Sequence, residues 1–281
     1  AFCDGLTRYV LCFWVHQPKL GDIPGYQWVN VGTHFDTNIT WWPMSHGWLT
    51  YIARCQYMLR QGRFVADFAY FQGEQIPGFI APRDLQQPLR PAGFDYDAMN
   101  AEVLLTRAAA KDGRLVLPDG MSYRYLVLPH DSGWAVSPKV LGKIKQLVEG
   151  GVTVVGPRPG RAIGLAESPD CDERVKSLSD ALWAADTPPS GQRKVGSGRV
   201  IWGRPLDELV RADAAGPDVE FRKVEMIGGE AGNKSPKPLD WIHRRDGGTD
   251  IYFISNQTRL PLAAEAVFRV SGKQPELWDA V

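Results

Sequence analysis

The sequence predicts an α/β protein with a doubly wound parallel sheet, preceded by one strand–helix unit and followed by an antiparallel β region. Between residues 65 and 215, short apolar runs alternate with segments of helical periodicity, which is typical of strands joined by helical crossovers. Residues 1–64 are crowded with aromatic side chains, and residues 216–281 lose the helical period. We therefore predict three domains with these bounds.

Composition indicates a globular protein with a neutral partner. Of its 281 residues, 44% are hydrophobic and 23% are charged, which is enough apolar material for a sizeable core. Lys plus Arg and Asp plus Glu each number 32, so no net charge favours nucleic acid or an anionic membrane. No apolar run approaches the ~20 residues that cross a bilayer. The four cysteines are scattered without metal-ligand spacing, so we expect no disulfide framework and no metal site.

In the first region, the apolar run over residues 8–15 predicts a strand buried on both faces. A long loop then leads to Ser45, which is predicted to cap a helix that ends before Gly62. The apolar face of this helix comprises Trp48, Ile52, Cys55 and Leu59. Strand, long loop and helix form the repeating unit of a TIM barrel. Because the chain begins at Ala1 without a signal-type run, and its last residues have a strand pattern in mid-course, we expect both ends to be cuts through structure.

The second and third regions are predicted element by element from apolar periodicity and from capping and turn residues. The predicted strands cover residues 65–71, 114–117, 123–128, 152–155 and 199–202. Helices are predicted over about 100–110, from Pro138 after a Ser137 cap to Gly150, and after an Asp172 cap. A hairpin is predicted over 239–245 and 249–254, followed by a strand over 266–270, as in the opening of an antiparallel sandwich.

Several motifs in fixed order resemble glycoside hydrolase family 106, the α-L-rhamnosidases. They lie at residues 9–18, 34–36, 40–42 and 51–62, at positions 67, 70 and 73–74, and at residues 118–123, 126–129, 156–159, 241–245 and 275–278. The resemblance implies a catalytic TIM barrel before an α/β domain similar to class I glutamine amidotransferases, with β-rich modules after it. Residues 1–64 would then be the last unit of the barrel. It also implies an inverting pair of catalytic glutamates upstream of Ala1, and an exported enzyme.

The predicted sugar-binding residues lie in and after the presumed last barrel strand. His16 and Gln17 follow that strand, at the face where barrel enzymes bind substrate, and both can hydrogen-bond neutral hydroxyls. Trp41 and Trp42 can stack on the apolar face of a pyranose or on the methyl group of a deoxy sugar. The alternatives are a polar pair that supports the loop and, for most of the aromatic residues, packing in the core.

Carboxylates are scarce in the first region, although glycoside hydrolysis needs two of them beside the scissile bond. Asp36 in the loop and Glu74 after the next strand are the fallback candidates, and no Glu precedes Glu74. Their more common role is a helix cap or a surface ion pair. We therefore expect no catalytic residue within this chain.

The α/β domain is predicted to be chemically inert. An amidotransferase needs a nucleophilic Cys on a strand-to-helix turn with an activating His, but the strand over 123–128 leads to His130 and Ser132 without a Cys. The sequence thus predicts the C-terminal part of a rhamnosidase-like hydrolase that requires no cofactor, binds neither nucleic acid nor membrane, and is inactive alone. The alternative is a non-catalytic structural or assembly module.

Overall fold

The computed structural model describes residues 1–11, 14–19, 21–23, 25–28, 35, 37–75, 81, 85–86, 88–131, 133–164, 166–186, 188–227 and 237–281. These residues form two compact units, which we call the aromatic unit and the sheet unit. The aromatic unit comprises Ala1–Gly62, Asp240–Ser255 and Ser271–Val281, and the sheet unit comprises Arg63–Leu239 and Asn256–Val270. The three-domain division stays a prediction, and residues of its third region occur in both units.

The helices and strands of the described residues are numbered along the chain. The helices are α1 (Ser45–Leu59), α2 (Ala101–Thr106), α3 (Pro138–Glu149), α4 (Cys171–Trp183) and α5 (Leu206–Ala212), with a 3₁₀ helix at Trp42–Met44. The strands are β1 (Arg63–Phe64), β2 (Phe68–Phe71), β3 (Tyr96–Met99), β4 (Ala109–Lys111), β5 (Arg114–Val116), β6 (Ser122–Tyr123), β7 (Tyr125–Val127), β8 (Ala135–Val136), β9 (Thr153–Val155), β10 (Arg161–Ala162), β11 (Gly191–Val195), β12 (Gly198–Trp202), β13 (Val219–Met226), β14 (Leu239–Asp246), β15 (Thr249–Asn256) and β16 (Leu262–Phe268).

The sheet unit is built on a sheet whose described strands lie in the order β11-β12-β9-β7-β2-β3. Five of them pair in parallel, and β11 pairs antiparallel with β12 at one edge. Along the chain, the parallel strands therefore have the spatial order 2-1-3-4-5, which is the order of flavodoxin-like sheets. The predicted mixed α/β architecture with a parallel sheet is confirmed.

Helices cover both faces of this sheet. Successive side chains of a strand point to opposite faces, so each strand contributes to two cores. Ala69, Leu126 and Val154 belong to the core that includes buried residues of α2, α3 and α4. Phe68 and Tyr125 belong to the opposite core, where α5 contributes Leu206, Leu209 and Val210. Burial on both faces explains why these strands are almost continuously apolar in the sequence.

Helix α3 forms as its sequence predicts. The Ser137 side chain accepts a hydrogen bond from the Val140 N–H at 3.2 Å, and Pro138 occupies the first turn. The predicted apolar face is fully buried and consists of Val140, Leu141, Ile144, Leu147 and Val148.

Two predicted helix caps are wrong. Helix α1 follows directly from the 3₁₀ helix, so Ser45 is already its first residue and the helical Met44 precedes it without a side-chain cap. In α4 the N-cap position is Asp170, while Asp172 lies in the first turn and accepts a hydrogen bond from Ala162 N at 2.8 Å. In both cases the preceding backbone, rather than the capping residue itself, decides where the helix begins.

The predicted strand over residues 8–15 is absent from its described part, residues 8–11 and 14–15. Val10 is 87% exposed and Trp14 is 79% exposed. The N–H of Tyr9 donates to the Gln56 side-chain oxygen at 2.6 Å, so a side chain rather than a neighbouring strand satisfies it. Apolar sequence favours burial, but a strand also requires a partner whose backbone completes the ladder.

The predicted antiparallel hairpin is confirmed, and the strand predicted over residues 266–270 lies at residues 262–268, where it pairs with a strand that the sequence analysis did not predict. β14 and β15 are neighbours in one sheet, and Gly247 and Gly248 join them as the hairpin pattern predicts. β16 pairs antiparallel with β13, from Val219 opposite Phe268 to Met226 opposite Leu262. The described strands of residues 216–281 occur as these two pairs, and the expected opening of a sandwich stays a prediction.

A buried carboxylate ties the β16 segment into the sheet unit. Asp67 is 2% exposed and contacts the Arg124 guanidinium at 2.8 Å and the Arg269 guanidinium at 2.9 Å. Arg269 also donates to the Gly216 carbonyl at 2.7 Å.

No helix among the described residues is long and apolar enough to cross a membrane.

Candidate functional site

The aromatic unit contains an open pocket of about 560 Å³ beside the start of α1. Its described lining residues are Tyr9, Val10, Leu11, Phe35, Trp41, Met44, Ser45 and Trp48. They come from the irregular segment before the 3₁₀ helix, from that helix and from the first turn of α1. This is the candidate site, and we call it the aromatic pocket.

Four aromatic rings form one side of the pocket. Phe35 and Trp48 stack with an interplanar angle of 11° and a centroid distance of 6.0 Å. Trp41 meets both rings edge-on, at 6.3 Å from Phe35 and 6.5 Å from Trp48. Trp42 lies against Trp41 at 6.3 Å in a tilted arrangement. Offset-stacked and edge-to-face pairs are the arrangements that aromatic quadrupoles favour.

Local backbone structure brings these rings together. The Trp42 N–H donates to the Ile39 carbonyl at 3.1 Å and the Met44 N–H donates to the Trp41 carbonyl at 2.9 Å, which closes the turn. Pro43 fits this turn because its ring fixes a helical φ. Trp48 follows Met44 by four residues, so both side chains lie on one side of the helix entrance.

The described lining of the aromatic pocket carries no formal charge. It contains no Asp, Glu, Lys, Arg or His, and its polar side-chain groups are the hydroxyls of Tyr9 and Ser45 and the indole N–H groups of Trp41 and Trp48. Such a surface can stack on the apolar face of a neutral ligand and can donate or accept a few hydrogen bonds. The carboxylates and imidazoles that most often perform acid–base catalysis do not occur in this described lining.

The structure brings only part of the predicted sugar-binding set into the pocket. Trp41 lines it and Trp42 packs on Trp41, while His16 is exposed and is not among the described lining residues. The Gln17 side chain closes a loop, because it accepts from Tyr26 N at 2.7 Å and donates to Tyr26 O at 3.0 Å. Asp36 lies outside the described residues. The functional assignment of these residues stays a prediction.

The Glu74 side chain binds the backbone at the N-terminus of α3. Its carboxylate accepts a hydrogen bond from the Ser137 N–H at 2.6 Å, at the start of α3. An acidic group at this end of a helix is stabilised by the unpaired N–H groups and by the helix dipole. This contact agrees with the capping role weighed for Glu74 from the sequence.

Sequence reasoning missed a buried ionic cluster in the aromatic unit. The Asp250 side chain is 5% exposed and contacts His243 Nε2 at 2.9 Å, Arg245 Nε at 2.6 Å and the Lys273 amine. His243 is fully buried and stacks on Tyr252 with 4.0 Å between ring centroids. A two-residue spacing in a strand puts side chains on the same face, as for His243 and Arg245 in β14 and for Asp250 and Tyr252 in β15. The sequence did not show that these two sets of side chains contact each other.

Burial by itself would raise the pKa of the Asp250 carboxyl. Hydrogen bonds from Lys273, Arg245 and His243 outweigh burial and lower this pKa to about 2. The cluster therefore holds an ionised carboxylate that joins the β14–β15 hairpin to the last residues of the chain within the aromatic unit.

The described cysteines are buried and do not form disulfides. Cys3, Cys55 and Cys171 are buried free thiols, and burial raises the pKa of the Cys55 thiol. Cys171 begins α4, while Cys3 and Cys55 belong to the aromatic unit, so none of the three follows a strand of the main sheet. Among the described residues, no group of three His, Cys, Asp or Glu side chains could hold a metal ion.

Comparison with known proteins identifies the relatives of the whole chain. The sequence model of a family described as alpha-L-rhamnosidase matches residues 1–281. A solved rhamnosidase from Novosphingobium sp. PP1Y superimposes with a TM-score of 0.82 at 34% sequence identity, over 99% of this chain and 25% of that chain. A Formosa agariphila protein named as a beta-glucuronidase is 34% identical over 283 residues, which cover 100% of this chain and 22% of that protein. The chain thus spans about a quarter of the length of these relatives.

Proposed function

The chain belongs to glycoside hydrolase family 106, the α-L-rhamnosidase family, and from this premise we propose that it is the C-terminal part of an enzyme that hydrolyses terminal rhamnosides. The single observation that supports this function best is the 0.82 TM-score to a rhamnosidase at 34% identity over almost the full chain. Because the chain matches only 25% of that rhamnosidase, we assign the activity to the intact enzyme.

In this proposal the chain contributes substrate binding and the catalytic acids lie elsewhere. Hydrolysis of a glycosidic bond requires an acid and a base or nucleophile on either side of the bond, about 5–10 Å apart. The described lining of the aromatic pocket has no carboxylate, and Glu74 bonds the Ser137 N–H. Two catalytic glutamates upstream of Ala1, in a barrel that residues 1–64 complete, would supply the chemistry.

The neutral lining supports a rhamnoside over a glucuronide as substrate. A glucuronide carries a carboxylate, which binds best to Arg or Lys, and Arg forms the bidentate pair. The aromatic pocket has neither residue in its described lining, whereas Trp41 and Phe35 match the methyl group and apolar face of a deoxy sugar. The name given to the Formosa agariphila relative therefore does not decide the substrate proposed here.

For the sheet unit we propose a structural role with an inert amidotransferase-like fold. The 2-1-3-4-5 order of parallel strands and the positions of the described cysteines support it. Cys171 lies at the start of α4 and is buried, so it is not available as a nucleophile. The second candidate function is an assembly module in a protein without hydrolase activity. Its only support is the proposed lack of catalytic residues in the sheet unit.

Hydrolysis assays test the proposal. The 281-residue chain and a longer protein that includes the residues encoded before Ala1 would be compared on 4-nitrophenyl α-L-rhamnoside and 4-nitrophenyl β-D-glucuronide. We expect no turnover by the chain and rhamnoside hydrolysis by the longer protein at an ordinary enzymatic rate of about 1–1000 s⁻¹. Turnover by the isolated chain, cleavage of the glucuronide alone, or an inactive longer protein would each contradict the proposal.

A further inference from the structure

We propose that the sheet unit binds a small oxyanion, a carboxylate or a phosphate, through the guanidinium groups of Arg114 and Arg124. The site goes beyond the proposed hydrolysis, because both arginines belong to the sheet unit and neither lines the aromatic pocket. It gives the sheet unit a role in ligand binding that requires no catalytic residue.

The two arginines lie where the strands of the main sheet begin. Arg124 precedes β7, and its backbone N–H donates at 2.8 Å to the carbonyl of Asp67, the residue before β2. Arg114 begins β5, and its Nε donates to the Ser122 hydroxyl at 2.6 Å. Ser122 lies two residues before Arg124 in the chain, so Ser122 holds the Arg114 side chain beside the segment that carries Arg124.

Positive charge exceeds negative charge in this cluster. Asp67 contacts Arg124 Nε at 2.8 Å through one carboxylate oxygen and Arg269 at 2.9 Å through the other. The carboxylate of Asp218 lies 3.7 Å from Arg269, and both acidic side chains are buried. No carboxylate of the described residues forms an ion pair with Arg114. Three guanidinium groups and two carboxylates therefore leave one positive charge unmatched.

Both arginines retain N–H donors for a ligand. Arg114 uses Nε and Nη2 on Ser122, the second at 3.1 Å to its carbonyl, and this leaves Nη1. Arg124 Nε is buried and makes no hydrogen bond, although it lies close to Asp67. The terminal nitrogens of Arg124 bond no acceptor of the described residues, and 37% of the side chain is exposed. Parallel N–H groups of a guanidinium match the paired oxygens of a carboxylate or phosphate.

The surroundings of Arg114 favour an added negative charge. Burial, together with repulsion by the Arg124 and Arg269 guanidinium groups, lowers the pKa of Arg114, and the attraction of Asp67 offsets only part of this effect. Arg remains protonated at neutral pH, so the repulsion persists in the folded protein. An oxyanion within hydrogen-bond distance relieves this repulsion, whereas a neutral sugar does not.

NMR titration of the 281-residue chain tests the site through the Nε–H signals of its arginines. The probes are inorganic phosphate and glucuronate, at a constant ionic strength of about 0.15 M, with neutral glucose as the control. We expect the Arg114 and Arg124 signals to shift saturably with a Kd on the order of 1 mM for at least one anion, and glucose to leave them unchanged. The anion that binds more tightly identifies the ligand as a phosphate or an acidic sugar. Shifts that do not saturate, or equal shifts with glucose, would overturn the proposal.

Variants locate the bound anion. Arg124→Gln and Arg114→Gln should each weaken binding by about tenfold or more, and Arg124→Lys by about threefold, because lysine keeps the charge without the paired donors. Arg107→Gln is the matched control, since Arg107 is a half-exposed arginine of the same unit that already pairs with Asp119 at 3.3 Å. If Arg124→Gln does not fold, Arg114→Gln decides alone. Unchanged affinity in the folded glutamine variants, or the same loss in Arg107→Gln, would refute the site.

The longer protein that includes the residues encoded before Ala1 provides a second test. Binding of the same anion with similar affinity supports the site in the intact enzyme. Loss of binding there would mean that residues outside this chain cover the two arginines, and it would overturn the proposal. Neither result depends on hydrolysis, so an inactive longer protein contradicts the rhamnosidase proposal and leaves the oxyanion site standing.

Discussion

Two apolar runs of similar composition differ in burial and secondary structure between the two units. In the sheet unit, the run at β7 is buried completely, with Leu126 at 0% exposure and parallel partners on both sides. In the aromatic unit, the run over residues 8–15 has Leu11 at 43% and Val10 at 87% exposure, and its described part forms no strand. An apolar run in the sequence is therefore not sufficient to form a buried strand.

The difference lies in the partners that each run finds. β7 lies between β2 and β9, and the sequence supplies all three strands within the same unit. For the described residues of 8–15, the contacts are instead a side-chain hydrogen bond to Tyr9 and rings such as Phe2, which meets Tyr9 edge-on at 5.4 Å. A strand forms only when neighbouring strands complete its hydrogen bonds, whereas the apolar character of a segment depends on its own residues.

Substitution of one leucine in each run should give the strongest contrast between the two units. Leu126→Ala should lower the free energy of unfolding of the sheet unit by about 2–5 kcal/mol, because a cavity remains in a packed core. Leu11→Ala should change the stability of the aromatic unit by less than about 0.5 kcal/mol. Urea denaturation followed by circular dichroism measures both. A comparable loss from Leu11→Ala would mean that this run is buried in solution.

The buried ion pair of the sheet unit gives the next effect. Asp67→Asn should destabilise the protein by about 2–3 kcal/mol, because Arg124 and Arg269 lose the charge that offsets their partial burial. The control is Asp119→Asn, whose pair with Arg107 is half-exposed and should contribute less than about 1 kcal/mol. Chemical denaturation of both variants at pH 7 makes the comparison, and equal losses would show that burial of Asp67 adds nothing.

The Asp250 cluster of the aromatic unit predicts a pH dependence. A folded-state pKa of about 2, below the ordinary 3.8, contributes stability that is fully present above about pH 4 and is lost as the pH falls toward 2. We expect a loss of about 1–2 kcal/mol between these limits, since Arg245 and Lys273 are partly solvated. Thermal unfolding of the wild type and of Asp250→Asn across this range measures it. Identical slopes in the two proteins would contradict the assignment.

The smallest expected effect contrasts two serines at helix starts. Ser137→Ala should cost about 1 kcal/mol, because its side chain caps the Val140 N–H of α3. Ser45→Ala should cost less than about 0.5 kcal/mol, because α1 begins without a side-chain cap. Thermal melts of the two variants decide between them, and a reversed order would restore Ser45 as the cap.

The candidate site was only partly predictable from the sequence. Trp41 was identified because adjacent tryptophans in a loop are a common stacking surface, and it does line the pocket. Trp48 was predicted to lie on the apolar face of α1 with Ile52 and Leu59, but it is 43% exposed while they are buried. Its stacking on Phe35 was not predicted, because it depends on how the loop and α1 meet. His16 and Gln17 were placed by assuming that residues 8–15 form a barrel strand, and the described part of that segment does not.

Elements with local or periodic signals could be predicted from the amino-acid sequence alone. These are α3 with its cap and buried face, the alternation of strands and helices in the sheet unit, the β14–β15 hairpin and membership of a rhamnosidase family. Side-chain periodicity and capping chemistry act within a few residues, so they can be read along the chain.

Features that depend on residues far apart in the chain became known from the three-dimensional fold. It set the strand order, the pairing of Asp67 with Arg269, the three contacts of Asp250 and the absence of a strand in the described part of residues 8–15. The physical reason is that a ladder hydrogen bond or a buried charge gains free energy only once its partner is in place, and that partner lies far along the chain.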